Sequence, residues 1–341
     1  MADSAVGPHR GWRRNVVLGV VCAGVLLLLV FLTLITGEVG MSAAVAVRGL
    51  LGFGDAGDVY VVQQFRAPRL MAGLLAGGGL AVSGSVLQRL FRNPLASPDV
   101  VGVTGGASLG AVVVLAAGAG QLMIPYGALG GGLVSAVLLG AAGWRARLPV
   151  TRLVLVGLAV QAGLAAAVNL IVVRFPKELA GSAMQWTAGS LYGRTWSEVR
   201  VAMVVLALVL MALVVQYRAL AVLDLGDDSA AALGVSVSTA RVRLLVTAVA
   251  LAALAAAVSG PIAFVALAVP QLVRLLTGPP TPASLTVTGL AGATLLCGCD
   301  LLARHLLGGG LPVGAVTATV GAPWLLILML RESGPAHRRN L

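Results

Sequence analysis

Apolar stretches of roughly 17 to 23 residues, long enough to cross about 30 Å of hydrocarbon as helices, recur along this chain and constrain its fold more than any motif does. They are Val16 to Thr36, Leu70 to Leu90, Gly102 to Ala119, Tyr126 to Ala142, Leu153 to Val173, Val199 to Val215, Leu244 to Val258, a shorter Ile262 to Leu276, Leu285 to Leu307, and Val313 to Leu330. A soluble helix would interrupt such runs with a polar face. Composition agrees, with 59% hydrophobic and 10% charged residues. The expected fold is an all-α polytopic membrane protein of about ten transmembrane helices. One transmembrane domain is expected over 16–330, between tails at 1–15 and 331–341.

Arg10, Arg13 and Arg14 precede the first run as they would a signal peptide. The run is too long for the apolar core of one and lacks a convincing small-residue cleavage site, so an uncleaved first span is expected. The formal charge of +11 is distributed for a membrane rather than for nucleic acid. With ten spans and an internal N-terminus, the inner face holds roughly twice as many cations as the outer one, which is the positive-inside pattern. Both termini are therefore expected in the cytoplasm. Arg66, Arg69 and Arg304 fall at outer helix ends, where that rule makes arginine less expected.

Several chemistries lack their residues. Lys177 is the only lysine and lies in a segment that is not glycine-rich, so no P-loop is present. Cys297 and Cys299, two apart on a helix, point to different faces, and Cys22 is remote from both. His9, His305 and His337 lie near ends and loops, so neither a metal site nor a cofactor is expected. No catalytic constellation is evident, and the chain is not read as an enzyme. Asp300 is the single ionisable group well inside a span. A proton relay there would make the chain a secondary transporter, but Arg304 at i+4 points to an ion pair.

Two further patterns concern organisation. Gly73 and Gly77, Gly106 and Gly110, and Gly127 and Gly131 are pairs at four-residue spacing, the signature of closely packed membrane helices. The tetrapeptide Ala81-Val82-Ser83-Gly84 recurs as Ala257-Val258-Ser259-Gly260. Five spans separate the copies, so they cross in opposite directions, as in an inverted internal repeat. The soluble-looking interior segment 218–243 carries Asp224, Asp227 and Asp228, then three alanines, then Gly234. It reads as a short inner-face helix with acids at its start and glycine closing it, a shape that a motor subunit could grip.

The stretch RAPRLMAGLLAGGGLAVSGSVLQRLFRNPLASPDVVGVTGGASLG, from Arg66 to Gly110, closely resembles the FecCD family of ABC-importer permeases. LGDDSAAALGV from Leu225, SGPIAFVALAVPQLVRLL from Ser259 and DLLARHLLGGGLPVGAVTATVGAPWLLILML from Asp300 are similar to later family motifs, in order. The resemblance implies a permease of the type II ABC importer kind in a bacterial cytoplasmic membrane. Its implied partners are a second like permease subunit, two cytoplasmic ATPases and an extracytoplasmic binding protein. It also implies roles: Arg66, Arg69 and Arg304 dock the binding protein; Gly226, Asp227, Asp228, Ala231 and Gly234 couple to the ATPase; Val150 and Thr151, after Pro149, narrow the path as an inner gate. MQWTAGSLYGRTWSEV from Met184 resembles siderophore permeases more than vitamin B12 ones, so a ferric siderophore is the expected substrate, with haem or vitamin B12 as alternatives. Gln271 stands where the family usually has histidine.

Overall fold

The computed structural model describes residues 8–37, 40–99, 102–145, 150–305 and 311–332, which form helices and connecting loops without a strand. Each apolar run falls on a helix: α1 (Pro8–Ile35), α4 (Ala67–Leu90), α5 (Val103–Ala116), α6 (Ile124–Arg145), α7 (Val150–Val173), α9 (Trp196–Leu223), α11 (Val237–Ser259), α12 (Val265–Thr277), α13 (Pro282–His305) and α14 (Val313–Glu332). Short helices fill the connections: α2 (Ala43–Leu50), α3 (Ala56–Val61), α8 (Lys177–Thr187) and α10 (Asp227–Ala232). A π-helical turn, Val62–Arg66, joins α3 to α4.

Among the described residues, six segments are long and apolar enough to cross a membrane: Gly11–Ile35, Ala56–Leu90, Leu155–Val173, Trp196–Leu223, Val237–Ser259 and Pro282–His305. Val103–Ala116, Ile124–Leu138 and Val265–Thr277 are shorter apolar helices. With 14 residues, α5 spans about 21 Å at 1.5 Å per residue, less than a full crossing. The backbone enters it through Gly102 in the left-handed region, so the first residues of that apolar run are spent on a turn.

Helices α4 and α11 form the centre. Their middles are buried nearly all round, whereas α1, α7 and α9 expose most of their apolar surface. In water such exposure would be unfavourable; against lipid it costs nothing, and the arrangement is that of a multi-pass membrane protein. The two central helices are antiparallel. Arg69 at the start of α4 lies with the end of α13, whereas Arg89 at its end pairs with Asp224 just beyond α9, and α11 begins at this second end, where Arg241 pairs with Asp227. The opposed directions expected of the repeated tetrapeptide are therefore present. Its two serines work differently. Ser83 donates across the interface to the Ala248 carbonyl at 2.6 Å, while Ser259 donates within α11 to Ala255 at 2.8 Å.

The glycine pairs mark close contacts between helices. A side chain on Gly106 or Gly110 would overlap the carbonyl of Gly131 or Gly127, and the reverse holds, so α5 and α6 meet backbone to backbone. Gly77 of α4 meets Gly292 of α13 in the same way. Without a hydrophobic driving force between helices in lipid, such contact is a main source of association.

Candidate functional site

Helix α4 carries charge at both ends, and the candidate functional residues gather there. At its start, Arg69 grips Asp300 of α13 with two parallel hydrogen bonds, Nη2 to Oδ1 at 2.8 Å and Nε to Oδ2 at 3.1 Å. The Asp300 side chain is only 6% exposed. Arg304, one turn further along α13, reaches the same carboxylate at 3.4 Å and also donates to Thr33 of α1 at 3.2 Å. The expected ion pair of Asp300 with Arg304 is present, yet its closer partner is Arg69. Sequence spacing makes the i+4 neighbour visible, whereas 231 residues separate Arg69 from Asp300.

Arg66 completes the group from within the π-helical turn. Its side chain is buried, and Nη1 donates to the carbonyl of Leu34 in the last turn of α1. That carbonyl is one of the four that a helix leaves without an internal partner. The three arginines proposed from sequence are thus brought together with one carboxylate between two of them. Arg69 and Arg304 keep part of their side-chain surface, 19% and 16%. Nearby, Arg194 pairs with Glu198 at 3.4 Å, and burial lowers the pKa of its guanidinium while Glu198 opposes the shift.

At its other end α4 closes in a turn where the Asn93 N–H bonds the Gln88 carbonyl and the Arg92 N–H bonds that of Arg89. This is the arrangement that normally places glycine in the left-handed position. Arg92 occupies it instead, at φ +49°, at a cost of about 1 to 2 kcal/mol. The side chain accounts for the choice. Arg92 Nη2 donates to Asp227 at 2.9 Å and to the Leu223 carbonyl at 3.1 Å, while Arg89 forks onto Asp224 at 2.7 and 3.1 Å and lies 5.4 Å from the Tyr217 ring.

These arginines hold the acidic segment against the bundle. Gly226 precedes α10 at φ +112°, Asp227 and Asp228 occupy its first turn, and Gly234 follows it at φ +79°. The Val235 N–H closes onto the Ala230 carbonyl and the Gly234 N–H onto Ala231, a glycine-capped end. Asp227 is shared between Arg92 and Arg241, whose Nη2 lies 2.7 Å away. Ala230 is fully buried against the bundle, whereas Asp228, Ala231 and Leu233 face outward.

Gln271 belongs to this end as well. Buried on α12, it donates to Gln88 and to the Pro94 carbonyl, each at 3.0 Å, and accepts from Arg274 at 2.8 Å. Gln88 in turn donates to the Leu267 carbonyl at 3.0 Å. The two amides tie α4, the loop after it and α12 together. Gln88 and Arg92 escaped sequence reasoning; a lone amide within an apolar run was the available signal for Gln88. Pro149 lies outside the described residues. Val150 and Thr151 are described only as the opening of α7.

The family model of the FecCD transport family matches residues 25–331. The ferric enterobactin transport system permease protein FepG of Escherichia coli K12 is 37% identical over 87% of this chain and 91% of its own length. The Fe(3+)-citrate import system permease protein YfmE of Bacillus subtilis 168 is 34% identical over 95% and 98%. A cobalamin import system permease protein, BtuC of Halobacterium salinarum, is 36% identical over 79% and 73%. A solved metal-chelate type ABC transporter in an inward-facing conformation covers 92% of this chain and 98% of its own, with a TM-score of 0.82 and 28% identity. Over nearly its full length, and with both charged ends of α4 inside the matched region, the chain belongs to the FecCD transport family.

Proposed function

We propose that this chain is the membrane-spanning permease subunit of an ATP-driven importer for a ferric siderophore. The observation that carries this reading is the family match over 25–331 together with iron-chelate permeases at 34 to 37% identity. Separate ATPase subunits supply the energy. The outward face of α10, with Asp228 and Ala231, is the surface offered to them, and the ion pairs of Arg89 and Arg92 pass its displacement into α4. The α10 end then faces the cytoplasm, with both termini on that side, and a second permease subunit completes the path.

At the opposite end, Arg66, Arg69 and Arg304 lie together, with Arg69 and Arg304 both on the carboxylate of Asp300. Arg69 and Arg304 share that carboxylate and keep part of their side-chain surface exposed, which supports docking of an extracytoplasmic binding protein through its acidic residues. Arg66 acts there as an anchor for α1, and Arg69 and Arg304 present the charge. Val150 and Thr151 are the proposed inner gate. Cysteines placed at Val150 in both permease subunits should block uptake once crosslinked, and free passage through the crosslinked pair would discard the gate.

Asp300 is held by Arg69 at 2.8 Å and by Arg304 at 3.4 Å, which suits a structural ion pair better than the proton relay of a secondary transporter. The similarity to a cobalamin permease keeps a corrinoid as the second reading. The test is uptake of iron-55 by a deletion strain carrying this chain, with a panel of ferric siderophores and radiolabelled cobalamin as competitors. Siderophore-dependent, ATP-dependent uptake is expected; uptake of cobalamin alone would replace the substrate, and ATP-independent uptake would remove the mechanism.

A further inference from the structure

A cavity of about 210 Å³ lies between the later part of α9 and the start of α11, at the α10 end of the bundle. Val215 and Gln216 of α9 line it, with Ser236, Thr239 and Arg243 on the other side. Among the described residues, no carboxylate lines it, and the Arg243 guanidinium has neither an ion pair nor a hydrogen bond. Thr239 accepts from the Ser236 hydroxyl at 3.1 Å and keeps its own hydrogen to give.

Gln216 supplies a second, independent indication, of the opposite sign. Its Nε2 donates to the Ala212 carbonyl at 3.1 Å and to Thr247 at 2.9 Å. A carbonyl can only accept, so the two ends of the amide are told apart. Oε1 is left buried with no donor among the described residues. A buried acceptor without a donor is costly, and native structures seldom tolerate one without a further partner. The cavity thus sets donors on α11 against an unanswered acceptor on α9.

The flanking residues place it at the edge of the hydrocarbon. On α9, Val214 and Val215 are exposed, and the exposed Arg218 follows about one turn nearer α10. On α11, Val246 is exposed, and the exposed Arg243 stands one turn nearer α10. Exposed valines suit acyl chains and arginines reach for the headgroups, so both helices cross the boundary at this level. Val215, 79% exposed and on the cavity wall, gives a ligand here an apolar side. A bare phosphate would satisfy Arg243 and Thr239 but leave Gln216 Oε1 unanswered. An ethanolamine phosphate carries an acceptor for the first two and ammonium N–H donors for the third. We propose that the cavity binds the headgroup of phosphatidylethanolamine, with its phosphate on Arg243 and Thr239, its ammonium on Gln216 and its acyl chains along Val215.

The test uses the purified full chain, delipidated in a neutral detergent and titrated with short-chain phosphatidylethanolamine, short-chain phosphatidylcholine and free phosphoethanolamine. Binding is read by thermal unfolding and by native mass spectrometry. Phosphatidylcholine has the same phosphate and net charge, but methyl groups replace its N–H donors, so phosphatidylethanolamine should bind at least about tenfold more tightly. Gln216→Met should erase that preference, and Arg243→Gln should weaken both lipids by about tenfold. Arg218→Gln, which removes an exposed arginine outside the cavity, should leave them unchanged. Equal affinity of the wild-type chain for the two lipids, or a preference kept in Gln216→Met, would overturn the proposal. So would an equal loss in Arg218→Gln and Arg243→Gln, which would mean adsorption to surface charge. Phosphoethanolamine binding as tightly as the lipid would also overturn it, since the apolar side would then contribute nothing. The lipid comparison on the wild-type chain decides the matter even if a variant misfolds.

Discussion

Arg69 and Asp300 meet side by side, two nitrogens of one guanidinium against two oxygens of one carboxylate at 2.8 and 3.1 Å, and so join the start of α4 to the end of α13. The pair fixes orientation as well as distance, which a lysine could not do. Breaking a buried pair by removing one partner is more damaging than removing both, because it strands a charge away from water. Asp300→Ala, which leaves Arg69 and Arg304 facing each other, should lower unfolding stability in detergent by about 3 kcal/mol. The double variant Arg69→Met, Asp300→Leu should lose less than the sum of its single changes, with a coupling of about 1 to 3 kcal/mol. Additive losses in a denaturant titration would mean that the pair carries no energy of its own.

Docking of a binding protein is better tested at Arg304 than at Arg69. A carboxylate introduced at position 69 would face Asp300 directly and confound folding with binding, whereas Arg304 stands 3.4 Å from Asp300 and 16% exposed. Arg304→Glu should weaken association with the binding protein by about 2 kcal/mol while leaving basal ATP hydrolysis by the assembled complex unchanged. An acid-to-arginine change on the partner should restore part of the loss. Unaltered association in Arg304→Glu would remove the docking role of Arg304.

Ala230 and Ala231 are neighbours with opposite surroundings, and this separates folding from coupling. Ala230 is fully buried against the bundle, so Ala230→Trp should overpack it and reduce stability and membrane yield. Ala231 faces outward. Ala231→Trp should give normal yield and thermal stability, yet uncouple ATP hydrolysis from uptake. Normal transport by the Ala231 variant would place the ATPase contact elsewhere.

A Cβ on Gly84 would overlap the backbone carbonyl of Ala266 at the start of α12, where no side chain can move aside. Gly84→Ala should therefore force α4 and α12 apart and cost about 1 to 3 kcal/mol. Gly163 on α7 has nothing within 4 Å of the same position. Gly163→Ala should be neutral or stabilise by up to about 1 kcal/mol through helix propensity. Thermal unfolding of the two variants side by side checks the contrast.

The sequence by itself determined the solvent, and with it the helical class. Apolar runs of membrane-spanning length leave helices as the chain's way to satisfy its backbone, so each run became a helix. It also determined local features whose cause is local. Gly234 closes α10 because a left-handed residue is needed there, and the spaced glycines of α5 and α6 meet because only hydrogen atoms fit between the backbones. Tertiary structure decided which charges belong together. Asp300 has Arg304 one turn away, yet its closer grip comes from Arg69, because two helices distant in sequence end at the same depth. The same holds for Arg89 with Asp224 and Arg92 with Asp227. No periodicity encodes these pairings. They arise when helices pack, and the cost of an unpaired charge in a medium that cannot solvate it then selects the partner.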